Sequence, residues 1–243
     1  YEQSNGNSVY HGATFQLMRR FRSGLGGRLS YTYSKSIDDA GTGGRAVVAQ
    51  NYLDLTAERA LSNFDQRHNL SLNWHYSSGM GMRGGAMMQG WKAKLLRDWM
   101  FMNTLTLRSG TPLTATAGGT RSVTGGTGVS GSVRADATGL PIDATSTSPY
   151  FNTAAFTQPA AGSWGDAGRN TIPGPTTFSL NASLGRSFPV GERRNIELRM
   201  EATNLLNRVT ITSFGTTVGS SIFGIANSAA AMRQMSASLR FRF

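Results

Sequence analysis

Arg233-Gln234-Met235-Ser236-Ala237-Ser238-Leu239-Arg240-Phe241-Arg242-Phe243 carries a strict two-residue rhythm. Met235, Ala237, Leu239, Phe241 and Phe243 share one parity, and Gln234, Ser236, Ser238, Arg240 and Arg242 share the other. A period of two held over this length is a β-strand with one apolar and one polar face. In a soluble sandwich such a strand is ordinarily followed by a turn or polar residues, but here it ends on an aromatic ring. The pattern therefore predicts a strand that shows its apolar face to lipid and its polar face to an aqueous lumen. That is the closing strand of a transmembrane barrel.

The rhythm recurs upstream. Val9, Ala13, Phe15, Leu17 and Phe21 share a parity, and beyond the turn at Ser23-Gly24-Leu25-Gly26 so do Leu29, Tyr31 and Tyr33, which predicts a hairpin reaching about Ser34. A third strand, Arg67 to Tyr76, sets Leu70, Leu72, Trp74 and Tyr76 against Asn69, Ser71, Asn73 and His75. A fourth, Asp98 to about Ser109, sets Trp99, Phe101, Leu105 and Leu107 against Thr104, Thr106 and Arg108. Phe178, Leu180, Ala182, Leu184 and Phe188 mark a fifth, and Pro189 to Arg193 reads as a turn. The sixth opposes Ile196, Leu198, Met200 and Ala202 to Glu197, Arg199, Glu201 and Thr203. Arg19 and Arg186 fall on the apolar parity near strand ends. There a long stem can reach the interface, or a local bulge can turn the side chain.

The connections alternate in length. Those at Lys35–Phe64, with a helical turn expected around Leu55 to Leu61, at Pro112–Pro175 and at Asn207–Ala230 are long and without period, and the intervening ones are shorter. With the C-terminus in the periplasm, every long connection falls outside the cell, as in membrane barrels. The same topology puts Phe21, Trp74, Tyr76, Trp99, Phe101, Phe188, Phe241 and Phe243 near the periplasmic interface, and Tyr31, Tyr33 and Phe178 near the outer one. The fold class is thus all-β, an antiparallel transmembrane β-barrel. About seven strands is odd and too few for closure, and no leader precedes Tyr1, so the expectation is the C-terminal fragment of a larger barrel with long extracellular loops.

Composition agrees. The 243 residues hold no cysteine, which excludes disulfides and thiolate chemistry, and no apolar run long enough for a membrane helix. The formal charge of +11 is scattered through alternating strands rather than clustered, which speaks for lumen and rim residues and against a nucleic-acid partner. The 30 glycines suit turns and long surface loops.

An ordered series of motifs resembles TonB-dependent outer-membrane receptors of the Oar-like type. It runs from Tyr10-His11-Gly12-Ala13 and Arg19-Arg20-Phe21 through Ser30-Tyr31-Thr32-Tyr33-Ser34-Lys35-Ser36-Ile37-Asp38-Asp39 and Phe64-Asp65-Gln66-Arg67-His68-Asn69. It continues with Leu107-Arg108-Ser109-Gly110-Thr111-Pro112, Phe151-Asn152-Thr153-Ala154-Ala155-Phe156, Gly165-Asp166-Ala167-Gly168-Arg169-Asn170, Asn204-Leu205-Leu206-Asn207 and the terminal Phe243. The resemblance implies that residues 1–243 are the C-terminal part of a large receptor barrel, without the plug and the N-terminal carboxypeptidase-regulatory-like domain. It implies uptake of a bulky or scarce solute, energised by the TonB complex through a region outside this sequence. Implied partners are outer-membrane lipid, lipopolysaccharide and the barrel-assembly machinery, which would read Met235, Ala237, Leu239, Phe241 and Phe243; the implied location is the cell outer membrane.

Chemistry is sparse. Asp38, Asp39, Asp54, Glu58 and Asp65 gather in the first long loop; Asp38, Asp39 and Asp54 could offer oxygens to a cation, but the spacing matches no calcium loop, and solvated charge is the competing reading. His68 and His75 have opposite parity and cannot share a metal. Gly79–Gly84 and Gly126–Gly131 match G-x-G-x-x-G without the strand and helix a dinucleotide site needs. No catalytic arrangement and no cofactor is expected, so the chain is not read as an enzyme. Glu197, Arg199, Glu201 and Arg108 are expected on the lumen side, as a charge ladder or as contacts to plug or substrate. The rivals are a non-transporting surface adhesin or assembly protein and a soluble basic β-sheet binding protein.

Overall fold

The computed structural model describes residues 6–39, 49–51, 54–78, 90–91, 96–117, 133–191 and 194–243. In chain order its strands are β1 (Ser8–Arg22), β2 (Leu25–Asp38), β3 (Ala60–Leu61), β4 (His68–Ser77), β5 (Trp99–Arg108), β6 (Thr116–Ala117) and β7 (Asp136–Ala137). There follow β8 (Phe156–Thr157), β9 (Thr177–Val190), β10 (Arg194–Thr203), β11 (Ile211–Phe214), β12 (Thr217–Val218), β13 (Ala226–Ala229) and β14 (Gln234–Arg242). The seven long strands β1, β2, β4, β5, β9, β10 and β14 form one antiparallel sheet in that order, with β3 added beside the end of β2. The sheet is an open up-and-down meander: β1 and β14 each have a neighbour on one side only.

Register decides what each face is. Phe15 lies opposite Tyr31, then come Leu70, Leu107 and Phe178 in the same row. The next apolar row is Leu17, Leu29, Leu72, Leu105 and Leu180. Between them runs Gln16, Ser30, Ser71, Thr106 and Ser179. Directly opposed residues project to the same side, so one residue of slip at any seam would mix the two sets. The seams keep register along their paired lengths, except at the turn end of β1, between Arg19 and Arg22.

Among the described residues nothing covers the apolar side. Phe15 is 59% exposed, Leu17 62% and Leu239 71%, while the buried hydrophobic cluster lies in the loops. A soluble sheet would lay a second layer over such a face. Two clefts open on the polar side, of about 520 and 190 Å³.

The strands are also staggered as a barrel requires. Carried through the register from Phe15, the middle of β1, and extended along the β9–β10 and β10–β14 pairings, one row reaches position 231. The middle of β14 is Ser238, seven residues further along. At ~3.4 Å per residue and ~4.8 Å per strand, that drift over six strand steps is a tilt of about 40°. The apolar belt therefore descends obliquely across the sheet, at the inclination of membrane barrels.

Three local expectations are corrected. First, β2 continues to Asp38, past Ser34, because the segment 60–67 folds back beside it: Ser34 N–H donates to the Arg67 carbonyl, and Ser36 N–H to Asp65 Oδ1 (2.6 Å). The helical turn expected near Leu55 to Leu61 is a 3-10 turn at Thr56–Glu58 followed by β3. Second, Pro189 belongs to β9, opposite Asn195, and not to a turn. Third, a register shift between Arg19 and Arg22 turns Phe21 onto the polar face, where it stacks on His75 at 5.1 Å. The residue opposite is Gly26, where a Cβ would stand 2.6 Å from the His75 ring, so the stack needs glycine. Arg19 keeps the apolar parity opposite Gly27, and its Nε donates to the Leu25 carbonyl. Arg186 also stays on that side, its guanidinium 4.7 Å from the Phe188 ring and 5.4 Å from Trp99.

Leu72 lies near the middle of the inclined belt. Replacing it by Arg is expected to lower the unfolding free energy in lipid vesicles by about 2–4 kcal/mol, whereas Ser71→Arg, one residue away, should cost under ~1 kcal/mol. Denaturant titration of both variants checks this; equal costs would mean the two faces are assigned wrongly.

Candidate functional site: the loop layer and the polar wall

The long connections 39–67, 109–176 and 204–233 all emerge at one end of the sheet, and the short ones at the other. At the long-loop end the described residues build a folded layer. Phe151 and Ile172 are fully buried, with Phe156, Phe214, Val218 and several alanines around them. Phe151 meets Phe223 edge-on at 5.3 Å, and Tyr150 stacks on Phe214 at 4.7 Å. Short pairings hold the layer: β6 with β12, β7 with β8, and β11 with β13. Pro112–Pro175 does lack a period, as expected, but much of it is the most buried part of the chain. Its apolar residues come from two connections and meet only in three dimensions.

Two buried ion pairs fasten this layer to the wall. Arg169 pairs with the carboxylate of Asp38 at the end of β2, and also donates to the carbonyls of Asp38 (2.8 Å) and Glu58 (3.1 Å). Arg134 Nη1 reaches both carboxylate oxygens of Glu58, at 2.8 and 2.9 Å. Gln50 completes the arrangement: its N–H donates to Glu58 Oε1 (3.0 Å), its side-chain carbonyl accepts from Arg134 N–H (2.6 Å), and its amide donates to the Gly165 carbonyl (2.8 Å). Charges this deeply buried are tolerated because each finds an opposite charge and further hydrogen bonds.

Several of the motifs that carry the receptor resemblance are the fittings of this layer. Gly165 stands where a Cβ would lie 1.9 Å from the Arg134 carbonyl oxygen, so only glycine fits. Gly110 and Gly174 press backbone to backbone at the top of β5 and β9 in the same way. Asp166 accepts from Ala137 N–H (2.6 Å), and the Asn170 amide donates to the Leu61 carbonyl (2.6 Å) and Asn63 (2.7 Å). Asn152 caps the 3-10 turn Thr153–Ala155.

These contacts also answer the cation question. Asp38, Asp39 and Asp54 are not brought together. Asp38 is held by Arg169, Asp39 accepts from Asn7 N–H (2.6 Å), and Asp54 accepts from the Thr56 hydroxyl and from Thr56 N–H (3.1 Å). The Thr56 hydroxyl, then its backbone N–H, holds the Asp54 carboxyl below its ordinary value. This interaction with Thr56 is complete at neutral pH and is lost as acidity protonates the carboxylate. Asp38 and Glu58 are about 1% exposed, so the reading of solvated loop charge is corrected for both. Their arginine partners lie 131 and 76 residues downstream and could not be paired from spacing. The two Gly-rich dinucleotide-like stretches lie outside the described residues.

The wall residues sit where their parity puts them. Glu197, Arg199 and Glu201 of β10 and Arg108 of β5 share the polar face. Arg199 pairs with Glu201 along its own strand (2.8 Å), and Glu197 with Arg242 diagonally across (3.4 Å). The larger cleft is lined by Thr104, Asn181, Ser183, Arg199, Glu201 and Gln234. On β14, Met235, Ala237, Leu239 and Phe241 continue the apolar rows of β10, and Phe243 stacks on Phe241 at 6.0 Å while 95% exposed.

The chain matches, over residues 1–236, the family described as Outer membrane beta barrel domain. The match spans nearly the whole sequence, and the chain belongs to that family: it is barrel wall in the cell outer membrane. No curated protein and no solved structure matches it. No helix among the described residues is long and apolar enough to cross a membrane, and the crossing is by strands.

Arg134→Met strands a buried carboxylate at Glu58 and should destabilise the loop layer by about 3–5 kcal/mol, while Arg134→Met combined with Glu58→Leu should recover much of the loss. Limited proteolysis on intact outer membranes reads the layer separately from the barrel. Wild-type protection in the single variant would mean this pair does not hold the layer.

Proposed function

We propose that this chain supplies barrel wall and outer loops to a TonB-dependent transporter of the Oar-like type, which takes up a bulky or scarce solute. The loop layer supports the reading: a cap with its own hydrophobic core can hold a shaped ligand-capturing surface above the lumen. The polar wall below it, with Arg108, Glu197, Arg199 and Glu201, provides contacts to a plug or to passing solute. Energy would come from the TonB complex through a part of the protein outside these residues. The reading requires no catalytic residue and no cofactor.

Closure of the sheet supports a larger barrel. β1 and β14 run in the same direction, so joining them directly would make a parallel seam. Antiparallel closure takes an odd number of additional strands, and a bilayer does not tolerate open edges. The β14 pattern Met235, Ala237, Leu239, Phe241 and Phe243 would be read by the barrel-assembly machinery.

Site-specific crosslinking in intact cells between the complete protein and the periplasmic domain of TonB tests transport. A crosslink, with loss of growth on a scarce nutrient when the protein is removed, is the expected result. No crosslink, together with loss of surface attachment alone, would establish the adhesin reading instead. Deleting Phe243 should lower the heat-modifiable, assembled fraction severalfold without changing synthesis; unchanged assembly would remove the signal role from β14.

A further inference from the structure

The smaller of the two clefts, about 190 Å³, lies on the polar side at the long-loop end of β1, β2 and β4. Register puts Tyr10 opposite Ser36 and Thr32 opposite Asn69, all four on the polar parity. Two residues beyond Ser36, Asp38 holds Arg169 of the loop layer. The cleft therefore sits where the lumen wall meets the cap.

Two exposed aromatic rings face it, Tyr10 and Phe64. The Tyr10 ring is laid along its own strand over Gly12. A Cβ there would stand 2.7 Å from the Tyr10 hydroxyl and 3.0 Å from the ring carbon that bears it, so the ring keeps this position because residue 12 is glycine. Phe64 belongs to the segment that folds back beside β2, and that segment is tied down on both sides of it. The Ser36 and Ser62 hydroxyls meet at 2.8 Å, Asp65 N–H donates to the Ser62 carbonyl (2.9 Å), and the Ser34 hydroxyl donates to the Gln66 carbonyl (3.0 Å). Both rings are thus presented on fixed backbone.

The polar groups between the rings are open to a ligand. Gln66 and Asn69 are half-buried, and among the described residues their side-chain amides have no hydrogen-bond partner. Each amide offers donors and an acceptor at once, and covering them with an apolar molecule would leave them unpaired. Charge excludes a second class. The lining holds one carboxylate, Asp65, which is already engaged by Ser36 N–H and by Arg67 at 3.5 Å. No arginine, lysine or histidine among the described residues lines the cleft, and Arg108, opposite Asn69 on β5, lies outside it. An anion would meet Asp65 with no cation to offset it.

We propose that this cleft is a subsite for a neutral saccharide. A sugar ring has C–H faces, which suit the negative faces of Tyr10 and Phe64, and hydroxyl edges that give and accept, which suit Gln66 and Asn69. The cleft is smaller than the ~300–1,000 Å³ of a complete small-molecule pocket, so it holds one residue of a longer chain. The inference rests on the transporter reading for its role, since it names the class of the bulky solute, but the binding itself does not need TonB.

Titration calorimetry of the detergent-purified complete protein tests this, with the neutral hexasaccharides of glucose, mannose and xylose as probes and hexagalacturonate as the anionic counterpart. At least one neutral probe should bind saturably and the anionic one should not. Against the probe that binds, Phe64→Ala and Gln66→Ala/Asn69→Ala should each weaken affinity about tenfold. Gly12→Ala, which keeps the Tyr10 ring but displaces it, should weaken affinity about threefold or more, while Tyr10→Phe should stay within about twofold of wild type. Ser238→Ala, elsewhere on the polar face, should bind as wild type. Heat-modifiable mobility verifies assembly; Phe64 and Gln66 lie outside the long wall strands, so Phe64→Ala and Gln66→Ala decide the matter if a wall variant does not assemble. Binding of no neutral probe, equal binding of hexagalacturonate, or undiminished binding by the Phe64 and Gln66 variants would each overturn the proposal. Saccharide binding without a TonB crosslink would remove transport and leave the subsite, and a crosslink without saccharide binding would do the reverse.

Discussion

A backbone N–H in hydrocarbon has no water to turn to, and leaving it unpaired costs several kcal/mol. Every wall strand must therefore pair along its length, and pairing fixes register. Register in turn decides which residues share a side. In this chain the requirement and the side-chain pattern agree at all six seams, from the Leu17–Leu29 pair to the Leu198–Leu239 pair. The same pairing sets the stagger, and the stagger sets the tilt. The apolar belt and the polar side both follow from that one constraint.

The loop layer obeys different physics. It lies in water, so burial of Phe151, Phe156, Ile172 and Phe214 stabilises it as in any soluble domain. The layer is small, however, and the wall cannot lend it a core, because the wall's apolar face points to lipid. Asp38–Arg169 and Glu58–Arg134 supply the attachment instead. Both pairs join the end of β2 and its following turn to the connection between β5 and β9. Such pairs specify geometry more than they add stability, which suits a cap that must keep a shape above a lumen.

The seven wall strands were legible as a period of two, which a strand imposes whatever surrounds it. Their ends were less so. Ser36 and Asp38 continue β2 although the rhythm weakens there, because a later segment folds back to pair with them. Phe21 reads as outward by parity and faces inward because a bulge inserts one residue before the turn. The acidic residues of the first loop look alike in sequence, yet Asp54 is exposed and holds only Thr56, while Asp38 and Glu58 are buried and paired. A glycine such as Gly165 announces some backbone constraint, but only coordinates show that the constraint is the Arg134 carbonyl.

By itself the sequence determined the class, the number of long strands, which parity is apolar, and which end carries the long connections. These are local properties: two residues of strand repeat regardless of what the strand touches. Tertiary structure alone decided the inter-strand register and hence the tilt, the folding of the long loops around Phe151 and Ile172, and the partners of Asp38 and Glu58. The partners in particular depend on residues far apart in sequence coming into contact, 76 positions for Glu58 and Arg134 and 131 for Asp38 and Arg169, and no spacing rule along a chain encodes such distances.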